Sequence, residues 1–139
     1  MKTRYEHSRY YDNDEKAKPA TIEEMVGKVM LLAVLSPDKE ELTFTDTSGV
    51  RYVFYHDQDC CERVVVDDID GDLRDLVGHP IGQAECVSSE RQKDDEGYGD
   101  SQTWTFYKFA TMKGHVTVKW LGTSNGYYSE HVDFRIEEP

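Results

Sequence analysis

Thr103-Trp104-Thr105-Phe106-Tyr107-Lys108-Phe109-Ala110-Thr111, Met112-Lys113-Gly114, His115-Val116-Thr117-Val118-Lys119-Trp120-Leu121 is the stretch that decides the fold. Two runs of β-branched and aromatic residues flank a three-residue turn, which is the signature of a β-hairpin. In the second run Val116, Val118 and Trp120 alternate with His115, Thr117 and Lys119, so one face meets a core and the other meets water. In the first run aromatic rings fall on both faces, so some of them are expected outside the main core.

The same alternation extends outward. Tyr127–Ile136 reads as a third strand, with Val132, Phe134 and Ile136 opposing His131, Asp133 and Arg135 across the pleat. Upstream, Leu42 and Phe44 alternate with Thr43 and Thr45, Asp46-Thr47-Ser48-Gly49 supplies a turn, and Val50–Tyr55 returns. Val64–Val66 and Ile81–Val87 are further strands, and the polar stretch Ser88–Ser101 is expected as a mobile loop. Val29–Leu35 is a continuous apolar run of strand length, which predicts a strand covered on both faces. Ile69, Leu73, Leu76 and Val77 fall at helical spacing between an Asp-rich first turn and Gly78, which predicts a short amphipathic helix. Thr21-Ile22-Glu23-Glu24 is a capping-box pattern that opens a helical turn ending at Gly27. Residues 1–20 are polar and read as a flexible tail. The expected fold is α+β: a single domain over 21–139, with a mostly antiparallel sheet of six to eight strands and one short amphipathic helix.

The 139 residues carry 16 Lys+Arg against 28 Asp+Glu, a formal net charge of −12. Such a balance argues against direct nucleic-acid binding, which needs clustered Lys and Arg to neutralise phosphate. No apolar run approaches the roughly 20 residues that span a bilayer, so no membrane association is expected. The acidity concentrates in Asp57–Asp75, where Asp57, Asp59, Glu62, Asp67, Asp68, Asp70, Asp72 and Asp75 face only Arg63 and Arg74. These eight acids form the candidate partner-binding surface, and they fit a protein partner with a basic surface through electrostatic complementarity. Glu90–Asp100 is a second acidic stretch.

His56-Asp57-Gln58-Asp59-Cys60-Cys61-Glu62 is the most reactive-looking segment. As a zinc site it fails on spacing, since structural zinc takes Cys pairs separated by two to four residues. Adjacent cysteines on extended chain also point to opposite faces. A nucleophilic Cys60 or Cys61 activated by His56, His79 or His115 is the enzymatic alternative, but the acidic surroundings disfavour a thiolate. Asp68-Ile69-Asp70-Gly71-Asp72 starts like a calcium loop, yet its sixth and twelfth positions hold Leu73 and His79 where Gly and Glu are needed. Asp70 or Asp72 is expected instead as a helix cap. No metal ligand set and no cofactor is expected. Trp104, Asn125, Tyr127 and Tyr128 group an indole, an amide and two phenols, and they are the candidate residues for a small, nucleotide-like ligand. Cys60, Cys61 and Cys86 are an odd set with two adjacent, and the first residues lack a secretory apolar stretch, so a reducing cytoplasm is expected.

From Arg51 to Glu130 the chain resembles an uncharacterised small-protein family of bacteriophage and bacterial genomes. The resemblance rests on His56–Glu62 with Asp68–Leu73, on Trp104–Lys108, and on Ser124-Asn125-Gly126-Tyr127-Tyr128-Ser129-Glu130. It implies a phage or mobile-element origin and brings no catalytic residue. The functional expectation is a non-enzymatic acidic interaction protein that inhibits a host nucleic-acid enzyme or defence complex in the host cytoplasm. The alternatives are a small-ligand binding protein and a Cys/His-dependent enzyme.

Overall fold

The computed structural model describes residues 2–7, 18–93 and 100–139. Among the described residues there are ten strands: β1 (Lys2–Tyr5), β2 (Met30–Leu35), β3 (Leu42–Asp46), β4 (Arg51–Tyr55), β5 (Arg63–Asp70), β6 (Gln83–Ser88), β7 (Gln92–Lys93), β8 (Ser101–Thr111), β9 (Gly114–Ser124) and β10 (Asp133–Glu138). All of the strand pairings are antiparallel. The first sheet has the order β1-β10-β4-β3-β2, and the second has β5-β9-β8-β6 with β7 also on β8.

The decisive hairpin forms as its pattern dictates, with β8 and β9 paired in unbroken register from Ser101↔Ser124 to Thr111↔Gly114. Val116, Val118 and Trp120 are fully buried while His115 is exposed. Phe44 and Phe54 of the first sheet meet Phe109 of the second with ring centroids 5.2 and 5.8 Å apart, and Phe54 meets Tyr107 at 4.7 Å. Both sheets therefore share one aromatic core. Trp104 and Phe106 lie on the opposite face of β8, half-buried and stacked on each other at 6.3 Å.

Five expectations are corrected. The helix expected over Ile69–Val77 is absent: Ile69 and Asp70 complete β5, and only a four-residue 3-10 turn, Leu73–Leu76, follows. Positive φ at Gly71 (110°) and Gly78 (86°) breaks the chain on both sides, and the span between is too short to propagate an α-helix. The turn at Ile22–Met25 is likewise 3-10, with the capping box formed as Glu24 Oε2 accepts from the Thr21 N–H at 3.0 Å. No α-helix occurs among the described residues, so none there is long and apolar enough to cross a membrane. The strand number exceeds the expected six to eight.

Val29–Leu35 is also not covered on both faces. β2 is an edge strand, and Leu31, Leu32 and Val34 are each more than half exposed. Within the expected tail, Lys2–Tyr5 pairs with β10, and Arg4 forms a two-pronged ion pair with Glu24 at 2.6 and 3.1 Å. Residues 8–17 of that tail lie outside the described residues, as do 94–99 of the expected mobile loop. The third closing strand is shorter than expected: Asn125–Val132 is a loop, and β10 starts at Asp133.

Candidate functional site

β5 forms the outer edge of the second sheet, and its register carries the acidic residues. Asp67, Asp68 and Asp70 are exposed on the strand, and Asp72 is exposed just beyond it. A register shift between Val66 and Asp68 places Asp67 and Asp68 at a bulge. Lys119 approaches Asp68 at 3.9 Å, and Arg74 bonds Asp72 at 2.9 Å. Asp72 also caps the 3-10 turn by accepting the Arg74 N–H at 2.9 Å, as expected of a capping acid. Asp75 is half-buried in that turn.

Asp57, Asp59 and Glu62 do not join this row. They precede β5, which at ~3.3 Å per residue holds Arg63 roughly 23 Å from Asp70. Asp59 is exposed and Asp57 half-buried, whereas the Glu62 side chain is fully buried. Glu62 Oε1 accepts the N–H groups of Asp59 (2.6 Å) and Cys60 (3.2 Å) and lies 3.5 Å from His56 Nε2. Burial pushes the Glu62 carboxyl up, but these two amides and His56 outweigh it and hold the group below the usual carboxylate range. His56 Nδ1 donates to the His131 carbonyl at 2.8 Å. Glu62 is thus an internal staple of the 56–62 segment, and of the eight candidate acids the exposed ones gather at Asp67–Asp72 with Asp59 apart. Cys60 and Cys61 occupy a bend and form a disulfide with each other, so the opposite-face placement expected for extended chain does not hold. Cys86 is free.

The second sheet ends in a polar pocket of about 700 Å³ lined by Cys61, Gln92, Ser101, Gln102, Ser124 and Asn125, among others. Its floor rests on Glu130, which is 1% exposed. The Glu130 carboxylate accepts from the hydroxyls of Ser101, Ser124 and Thr103, the last at 2.8 Å, and Arg91 Nε lies 3.5 Å away. Arg91 also donates to the carbonyls of Gly126 (2.8 Å) and Tyr128 (2.6 Å). Burial pushes the Glu130 carboxyl up, yet the three hydroxyls and Arg91 together hold it below its ordinary value. Gly122 permits this packing: a Cβ there would collide with the Glu130 carbonyl and lie 2.8 Å from the Glu130 Cβ.

Of the four ligand candidates, Asn125 lines this pocket, and its Oδ1 accepts from the Tyr127 N–H at 3.1 Å. Tyr127 is 89% exposed, Tyr128 contributes its carbonyl to Arg91 and is half-buried, and Trp104 sits on the outer face of β8. The four do not converge. Glu130, Arg91, Ser101 and Ser124 are not among the candidate site residues read from the sequence, though Ser124 opens the turn that carries Asn125, Tyr127 and Tyr128. The signal was present in the hydroxyls Ser101, Thr103 and Thr105, which recur every second residue on the inward face of β8.

A family model described as domain of unknown function (DUF7448) matches residues 23–134. The chain belongs to the DUF7448 family. The match takes in every candidate partner-binding and ligand-binding residue, along with Glu130, and it agrees with the resemblance to an uncharacterised family. No curated protein and no solved structure matches this DUF7448 chain.

Proposed function

We propose that this DUF7448 protein is a non-enzymatic interaction protein that docks an acidic sheet edge on a partner with a basic surface. The observation that carries the reading is the run of exposed carboxylates Asp67, Asp68 and Asp70 on β5 with Asp72 just beyond it, which among the described residues only Lys119 and Arg74 approach. Carboxylates fixed on a strand lose little freedom on binding, and a net charge of −12 steers association with a cationic groove. The same charges guard an edge strand against pairing with other chains, which is the purely structural use of such a row. In this reading the protein is of phage or mobile-element origin and acts in the host cytoplasm, and its partner is a host nucleic-acid enzyme or defence complex.

The test is affinity capture from host extract with the natural chain and with D68K/D70K. The natural chain is expected to retain a basic partner that added salt releases and DNA displaces. Retention that ignores salt, or that survives the charge reversal, overturns the reading.

A second reading, capture of a small polar ligand, is supported by the pocket over Glu130 with Asn125 at its lip. Mass spectrometry of small molecules released from denatured protein tests it, and an empty eluate counts against it.

A further inference from the structure

A separate cavity of about 390 Å³ opens between the sheets, where the ends of β1, β4 and β10 meet β6 and β8. Tyr55 and Tyr107 form aromatic walls, and Glu6, Asp57 and Asp133 contribute three carboxylates. No Lys or Arg stands among the described residues that line it. Arg135 lies over the Tyr55 ring at 4.4 Å but is already held by Glu137 at 2.7 Å. Asp133 Oδ2 accepts the Asp57 N–H at 2.8 Å, and among the described residues its other oxygen and the Asp57 carboxylate have no hydrogen-bond donor.

An independent observation comes from the floor. Thr105 is only 4% exposed, lines the cavity, and its hydroxyl makes no hydrogen bond among the described residues. That hydroxyl is therefore free to serve a guest in the cavity. Burial is the first cause of the shifts at the titrating groups around the cavity. Burial, and then the charges of Asp133 and Glu23 against an opposing pull from His7, push the Glu6 carboxyl up. Burial and Asp133 push up the Tyr55 phenol, and burial with Glu6 and Glu23 pushes up the Cys86 thiol. Among the described residues the lining sets these three carboxylates against two imidazoles, His131 and His7, whose Nε2 lies 3.3 Å from Glu6 Oε1.

Among the described residues no three His, Cys, Asp or Glu side chains converge closely enough to hold a metal ion. Carboxylates spread around aromatic walls suit an elongated organic cation, whose methylenes lie against the rings while its ammonium groups meet the oxygens. We propose that this cavity binds a small organic amine of the diamine or polyamine class, held by Asp133, Asp57 and Glu6 and flanked by Tyr55 and Tyr107. The volume falls within the 300–1,000 Å³ range usual for small-molecule sites.

Calorimetric titration of the full chain with putrescine, and with 1,4-butanediol as the uncharged control, tests this. One putrescine is expected to bind per chain, with no heat from the diol. Asp133→Asn and Glu6→Gln are each expected to weaken putrescine binding about tenfold, the loss of one charge-assisted contact. D67N/D70N, which removes two exposed charges far from the cavity, is expected to leave it unchanged. Absence of saturable putrescine binding overturns the proposal, and so does an equal loss in D67N/D70N, which would mark diffuse attraction to a polyanion. Should Asp133→Asn fail to fold, Glu6→Gln and Thr105→Val take its place in the titration, since neither removes a group that holds a strand in place.

Discussion

Replacing Glu130 tests whether a buried carboxylate holds the end of the second sheet together. In Glu130→Ala the Ser101 and Ser124 hydroxyls still have each other at 3.3 Å, and Arg91 keeps the carbonyls of Gly126 and Tyr128. Two interactions are not recovered, the Thr103 hydrogen bond and the Arg91 charge pairing. At about 1.5–3 kcal/mol for a hydrogen bond to a charged group, and with a small cavity left behind, the expected cost is about 3–5 kcal/mol. Glu130→Gln keeps the volume and one acceptor oxygen, so about 1–3 kcal/mol is expected. Urea denaturation followed by tryptophan fluorescence reads both values. The pH dependence adds a second check. Because the folded protein holds Glu130 below its unfolded value, its contribution is fully present above about pH 4.3 and disappears as pH falls through the lower folded value. The gap between natural protein and Glu130→Gln should therefore narrow below about pH 4. A cost under about 1 kcal/mol for Glu130→Ala, or a gap that does not change on acidification, refutes the reasoning.

Gly122→Ala drives a methyl group into the Glu130 backbone and should cost about 1–3 kcal/mol, with faster amide exchange confined to residues 122–130. Leu32→Lys and Val34→Thr on the exposed edge strand should change stability by under about 0.5 kcal/mol in thermal melts, whereas a strand covered on both faces would lose several times more. Phe54→Ala removes the ring that touches Phe44, Tyr107, Phe109 and Phe134, and chemical denaturation should show a loss of about 3–5 kcal/mol. Asp46→Asn disturbs a buried turn in which the carboxylate takes Ser48, Val50 and Tyr52 as donors, and a cost of about 1–3 kcal/mol at neutral pH is expected from the same unfolding measurement. That carboxyl too is held below its ordinary value despite burial, so the penalty should shrink as pH falls below about 4.

Strands whose two faces differ were legible in the residues. The period-two alternation of Val116, Val118 and Trp120, and of Val132, Phe134 and Ile136, names the buried face directly. The Asp46–Gly49 turn between β3 and β4 was equally legible, because turn chemistry is local. Val29–Leu35 misled because an all-apolar run carries no alternation, and only its place at the sheet edge leaves Leu32 and Val34 in water. Ile69–Val77 misled because apolar residues at helical spacing also fit a strand end followed by one 3-10 turn. The acidic segment looked continuous in the chain, yet β5 carries its two halves to opposite ends of the sheet, and the 56–62 bend turns Glu62 inward.

By itself the sequence determined the hairpins, the inward faces of their strands, the net charge of −12 and the capping acids, since each depends on residues near one another along the chain. The tertiary structure alone decided which polar groups share a site. Glu130 meets Ser101 and Arg91 across 29 and 39 positions, and Glu6 and Asp133 of the first sheet line one cavity with Thr105 and Tyr107 of the second. Such meetings follow from how the strands are ordered and how the two sheets stack, and no local spacing of residues encodes that.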